Sequence, residues 1–277
     1  MSAIIYRGMT QAQLDADYNN TAAVPDVERH RTGWAERSAR LRPTLDGVWD
    51  MPYGTKPRQR LDFIRCGKPG RPTYLHIHGG YWQRNEKEPF DCLALGLLSH
   101  GVNFANLEYT LAPEATMDEI VGEVAACTGY LLARLSELGA DPTRLVVGGH
   151  SAGGHLTATL RAYPGVTGIL PVSGLFDLEP IQLSYLNTAL RMDVPTALRN
   201  SPIRHLAGSH PAIIVVGGAE LGELQRQSRE LHTACQARGL ASELLVLPGE
   251  DHFSILEQLA AADGVLTQSV LKLLGEK

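Results

Sequence analysis

Arg144-Leu145-Val146-Val147-Gly148-Gly149-His150-Ser151-Ala152-Gly153-Gly154-His155 passes from a short apolar run through a glycine-flanked serine into residues of helical character. The run reads as a buried strand, and the turn after it must be sharp. Such a turn strains the serine backbone and crowds the residues two before and two after it. Gly149 and Gly153 relieve that crowding by having no side chain. The same turn aims a helix N-terminus at any negative charge that develops beside Ser151, which makes this serine the candidate nucleophile.

Outward from this stretch, strand-like and helix-like segments alternate from about residue 59 to the end, the pattern of an α/β fold with a mostly parallel central sheet flanked by helices. The predicted strands are Arg60 to Cys66, Thr73 to His78, Val102 to Glu108, Arg144 to Gly149, Val166 to Val172, Ala212 to Val216 and Ser242 to Leu247. Between them, Asp118 to Leu138 carries an apolar stripe that ends at Gly139. A final helix is predicted from the capping-box spacing Ser254-x-x-Glu257 to Gly275. Residues 1–58 are polar, contain Trp34 and Trp49, and read as a helical extension packed on a catalytic domain spanning 59–277. An insertion at about 178–205 is expected to overhang the carboxyl edge of the sheet, where ligands bind in such folds.

A second glycine-rich turn, His76-Ile77-His78-Gly79-Gly80-Tyr81-Trp82, closes an earlier strand at the same edge. The amides of Gly80 and Tyr81, with that of Ala152, are the expected oxyanion donors. The general base must come late in this topology, and His252 in Pro248-Gly249-Glu250-Asp251-His252-Phe253 follows the last strand. The carboxylate that orients it must fall between Ser151 and His252 at a strand end. Glu220 meets this requirement and Asp177 is the rival, with an alternative role as a helix N-cap. Trp82, Tyr109, Phe176 and Phe253, together with Tyr81, are expected near the site and favour a small aromatic substrate over a lipid chain.

Composition narrows the classes further. A formal net charge of −5 offers no basic stripe for phosphates, so nucleic acid is not an expected partner. The N-terminus lacks the apolar core of a signal peptide and no uncharged apolar run approaches membrane-spanning length, so a cytoplasmic protein without membrane association is expected. The four cysteines are scattered, without a CxxC pair, and read as buried apolar residues. His76-x-His78 has no further ligand at metal spacing, so neither a metal nor any other cofactor is expected.

Together these motifs resemble the kynurenine formamidase (arylformamidase) group of α/β-hydrolases, close to the hormone-sensitive-lipase-like esterases. The resemblance rests on His78-Gly79-Gly80-Tyr81-Trp82, the Ser151 turn, Ser173-Gly174-x-x-Asp177-Leu178, Glu223-Leu224-Gln225-Arg226-Gln227-Ser228, and the N-terminal Leu14-Asp15-x-x-Tyr18-Asn19-Asn20, Tyr53-Gly54 and Arg60-Leu61-Asp62. It implies a metal-independent serine hydrolase that cleaves an aryl formamide or related amide through an acyl-enzyme. In the family an Asp occupies the register where Glu220 stands here, and Glu serves as the acid in other α/β-hydrolases. A carboxylesterase or carbamate hydrolase is the alternative, and a non-catalytic ligand-binding protein of the same fold is an alternative of another class. The expected partner is a small molecule, an aromatic amide or ester, with a homodimer left open.

Overall fold

The computed structural model describes residues 3–276. A short hairpin, β1 (Ile4–Tyr6) and β2 (Met9–Thr10), stands apart from an eight-stranded sheet. That sheet comprises β3 (Gly47–Pro52), β4 (Arg60–Ile64), β5 (Arg71–Ile77), β6 (Asn103–Leu107), β7 (Ala140–His150), β8 (Val166–Val172), β9 (Ala212–Gly217) and β10 (Ser242–Leu247). The spatial order is β10-β9-β8-β7-β5-β6-β4-β3, with β4 antiparallel to both its neighbours and the other pairings parallel. Every predicted strand is present, because β5 to β9 are buried on both faces and therefore read as apolar runs.

From β6 the chain crosses back over β5 to β7 and then proceeds outward through β8, β9 and β10. That reversal opens a crevice beyond the carboxyl ends of β5 and β7, where register pairs Ile77 with Gly149 and His150 with Val172. The loops after β5, β7, β8, β9 and β10 all emerge at this edge.

Several elements differ from the sequence expectation. Residues 1–58 contain helices Gln11–Asp17, Asn20–Ala23 and Val27–Leu41, but also β3, the antiparallel edge strand of the main sheet. Its half-exposed residues show no apolar run because only one neighbour, β4, covers it. The helix expected over Asp118 to Leu138 spans Met117–Leu132 and continues as tight turns. These close at Gly139, with φ of 81° and the Ala140 amide bonded to Leu135 O at 2.8 Å.

The last helix is broken into Ser254–Leu256, Glu257–Ala260 and Val265–Leu274. Ser254 does not cap Glu257. Its hydroxyl donates to Glu250 and accepts from the Asp251 amide, while Glu257 binds Arg37 and the Trp34 indole. The break passes through Gly264, whose added Cβ would lie 2.2 Å from Gln258 O.

Candidate active site

Ser151 caps β7 with φ of 59° and ψ of −119°, a conformation that L residues rarely adopt. The flanking glycines are required by backbone contact. A Cβ on Gly149 would lie 2.6 Å from Gly153 O, and one on Gly153 would lie 1.9 Å from Ile77 O, so helix Ala152–Thr159 presses against the end of β5.

Beside it, the turn after β5 carries three consecutive left-handed residues: Gly80 (φ 116°), Tyr81 (φ 52°) and Trp82 (φ 57°). A Cβ on Gly79 would approach Ser151 Cβ to 3.0 Å, which measures how closely this turn lies on the serine. The Gly79 carbonyl contacts His78 Nδ1 at 2.8 Å and accepts from Asn85 Nδ2 at 3.1 Å. Because the peptide is trans, the Gly80 N–H points the opposite way. Among the described residues, the amides of Gly80, Tyr81 and Ala152 have no hydrogen-bond partner. The turn is braced from behind by Glu108, which contacts His78 Nε2 at 3.1 Å and accepts from Arg58 and the Tyr109 and Lys87 amides. Burial works to raise the Glu108 carboxyl, but His78, Arg58 and the Tyr109 amide outweigh it and hold it below the usual range.

His252 follows β10, and its Nδ1 lies 2.6 Å from Glu220 Oε2. A carboxylate only accepts, so Nδ1 donates to it, and in the neutral ring the lone pair falls on Nε2. Glu220 is itself held by the Gly217 amide at 2.7 Å and by the Ser173 hydroxyl. A Cβ on Gly217 would lie 2.2 Å from Glu250 O, so glycine there lets the end of β9 reach the loop that bears His252. Ser173 sits at φ of 50° and was not singled out as a site residue in its own right.

Asp177 does not reach His252. It contacts Arg204 at 3.4 Å and accepts from the Glu179 amide at the start of the next helix. The ring of His150 lies 4.5 Å from that of His252, and burial first, then the neighbouring His252 and His76, push His150 well below the ordinary histidine range.

Ser151 and His252 open onto one cleft of about 360 Å³. No hydrogen bond joins their side chains among the described residues, and such contacts commonly tighten only when substrate binds. Phe253 lines the cleft, as expected. Trp82, Tyr109 and Phe176 do not, since all three are fully buried. Trp82 stands edge-on to His155 at 5.0 Å, and Tyr109 stacks on His78 at 4.5 Å while donating to His78 O. Trp82 and Tyr109 are packing residues of the turn, whereas Phe176 is buried close to Gly174.

The cleft's wall comes instead from the N-terminal helices, through Asn20, Arg31 and Trp34, and from Phe90. None of its lining residues lies in 178–205, which holds the short helices Glu179–Leu183, Asn187–Leu190 and Val194–Arg199. The signal for Trp34 was its presence in a polar helix otherwise short of large apolar residues. His76 sits between Phe90 and Phe104, with burial lowering it to about 3.

Residues 65–169 match the family described as BD-FAE. The chain is 30% identical to the kynurenine formamidase of Danio rerio, with 98% of this chain and 99% of that one aligned. It is 32% identical to the kynurenine formamidase of Salmo salar over 90% of both. The solved structure of a proposed thioesterase from Silicibacter sp. is 26% identical and superposes with a TM-score of 0.83, covering 93% of this chain and 98% of that one.

Proposed function

The chain belongs to the kynurenine formamidase family and is a hydrolase of the α/β-hydrolase type, and from that premise we propose that it cleaves aryl formamides through a formyl-enzyme on Ser151. Ser151 Oγ attacks the formyl carbon as His252 Nε2 takes its proton, and Glu220 holds the imidazolium that forms. The carbonyl oxygen becomes an oxyanion facing the free amides of Gly80, Tyr81 and Ala152. His252 returns the proton to the leaving nitrogen, which releases an arylamine. Water, deprotonated by His252, then attacks the formyl ester and regenerates Ser151 with release of formate.

The observation that carries this reading is the strained Ser151 facing the same cleft as His252, whose Nδ1 is bound by Glu220 at 2.6 Å. The aromatic wall of Trp34, Phe90 and Phe253 supports a ring-bearing substrate, and about 360 Å³ suits a small one.

The test is a hydrolysis panel pairing N-formyl-L-kynurenine and other formanilides with short-chain p-nitrophenyl esters and carbamates. It is run with intact-mass detection of a serine-directed phosphonate. Faster turnover of formamides with a single adduct on Ser151 is expected. Faster turnover of esters would make the protein a carboxylesterase by the same machinery, and turnover without labelling of Ser151 would overturn the serine mechanism.

A further inference from the structure

The charge around the cleft is one-sided. The Lys, Arg, Asp and Glu side chains lining it are Arg31 and Arg84, and among the described residues no Asp or Glu lines it. The chain as a whole carries a formal net charge of −5, so this is a local reversal of sign. Three carboxylates are paired with residues of the wall or of the site. Glu28 pairs with Arg31 at 2.9 Å but is itself largely exposed to solvent. Glu257 accepts from Arg37 and from the Trp34 indole at 2.8 Å, and Glu220 holds His252. Arg84, exposed at the rim on the turn that carries Gly80, makes no ion pair among the described residues.

The two guanidinium groups are placed relative to an aromatic slot. Trp34 lies 5.8 Å from Phe90 and 6.4 Å from Phe253, ring centre to ring centre. His252 meets Phe253 edge-on at 5.5 Å, and the Arg31 guanidinium stands 5.6 Å over the same phenylalanine ring. Arg31 is therefore one ring away from the expected base. Resting on the serine-hydrolase reading, we propose that the substrates are acyl derivatives of aromatic acids. The ring lies against Trp34 and Phe253, the acyl group faces Ser151, and a carboxylate is directed to Arg31 and Arg84. An ammonium group on the substrate finds no carboxylate in the cleft, so anionic aryl substrates outrank neutral and cationic ones.

The test compares three charges on one ring in two chemistries: 2-formamidobenzoate, formanilide and (2-formamidophenyl)methylammonium, and the corresponding phenyl acetates. At low salt kcat/KM is expected to fall in the order anion, neutral, cation, spanning at least about tenfold and carried mainly by KM. The span should shrink with added salt, because the arginines are solvent-accessible. R84Q, on an exposed side chain that does not threaten the fold, should remove part of the preference. R31Q/R84Q should bring the three substrates within about twofold of one another.

Equal rates for the three charges, preference for the cation, or an order that survives in R31Q/R84Q would overturn the proposal while leaving the serine reading standing. If neither series turns over, protection of Ser151 from the phosphonate decides: protection by benzoate over benzylammonium supports the proposal, and equal protection overturns it. Absence of labelling on Ser151 would instead overturn the underlying serine mechanism.

Discussion

Ser151 shows how one residue can carry backbone strain for the sake of its position. A non-glycine residue at φ of 59° and ψ of −119° costs on the order of 1–3 kcal/mol. Ser151→Gly is therefore expected to melt a few degrees above wild type while losing all turnover, read by thermal unfolding and the formanilide assay on the same preparation. A lower melting temperature would show that the conformation is not strained. Glu220→Gln should lower kcat by about two to four orders of magnitude, because an amide stabilises neither the required tautomer nor the imidazolium. Asp177→Asn, on a carboxylate bound to Arg204, should change kcat little; a reversed pair of results would move the acid to Asp177. Chain order admits both carboxylates, since each follows a strand ending at the same sheet edge, with Glu220 the expected acid and Asp177 the rival. The contact of Glu220 with His252 distinguishes them in space.

At the scale of elements, helix Val27–Leu41 is the part whose role was least visible in advance. Its residues are mostly polar because one face meets solvent, and the face bearing Trp34 turns to the cleft mouth. The Trp34 indole is locked by Glu257 across 223 residues of chain, a pairing that no local pattern announces. Trp34→Ala is expected to raise KM for aryl formamides by about tenfold or more with kcat nearly unchanged, since the wall binds ground state and transition state alike. Michaelis curves for formanilide and for a formamide lacking a ring test this, and an equal change in both would deny the ring a place against Trp34. The insertion at 178–205 was expected over the ligand edge on topological grounds, yet the N-terminal helices line the cleft. Helix placement on a sheet edge is decided by which apolar faces meet, and several elements compete for that edge.

Across the whole molecule, three buried histidines couple stability to pH. Burial holds His76 at about 3, His155 at about 4 and His150 well below the ordinary 6.5. Their folded values lie below their unfolded ones, so the unfolded chain binds protons that the native state refuses. This stability is full above about pH 6.5 and is lost as pH falls toward the folded values, at up to about 1.4 kcal/mol per pH unit for each histidine. Asp91, raised by burial to about 6, acts in the opposite sense and offsets roughly one of them. Guanidinium unfolding at pH 7 and pH 5 should therefore show a clear loss in acid, and His76→Phe, between Phe90 and Phe104, should reduce it. Equal free energies at the two pH values would mean that these histidines titrate normally. The sequence by itself determined the parallel strands, the crowded turn at Ser151 and the late loop bearing His252. Those follow from short-range constraints: alternation of buried runs, the steric limits on φ, and the space that a missing Cβ leaves. Tertiary structure alone decided that Glu220 rather than its rival Asp177 meets His252, that Trp82, Tyr109 and Phe176 are buried away from the cleft, and that Trp34 and Arg31 form the wall. Those depend on contacts between segments far apart in the chain, where the packing of one element selects among residues that look alike in sequence.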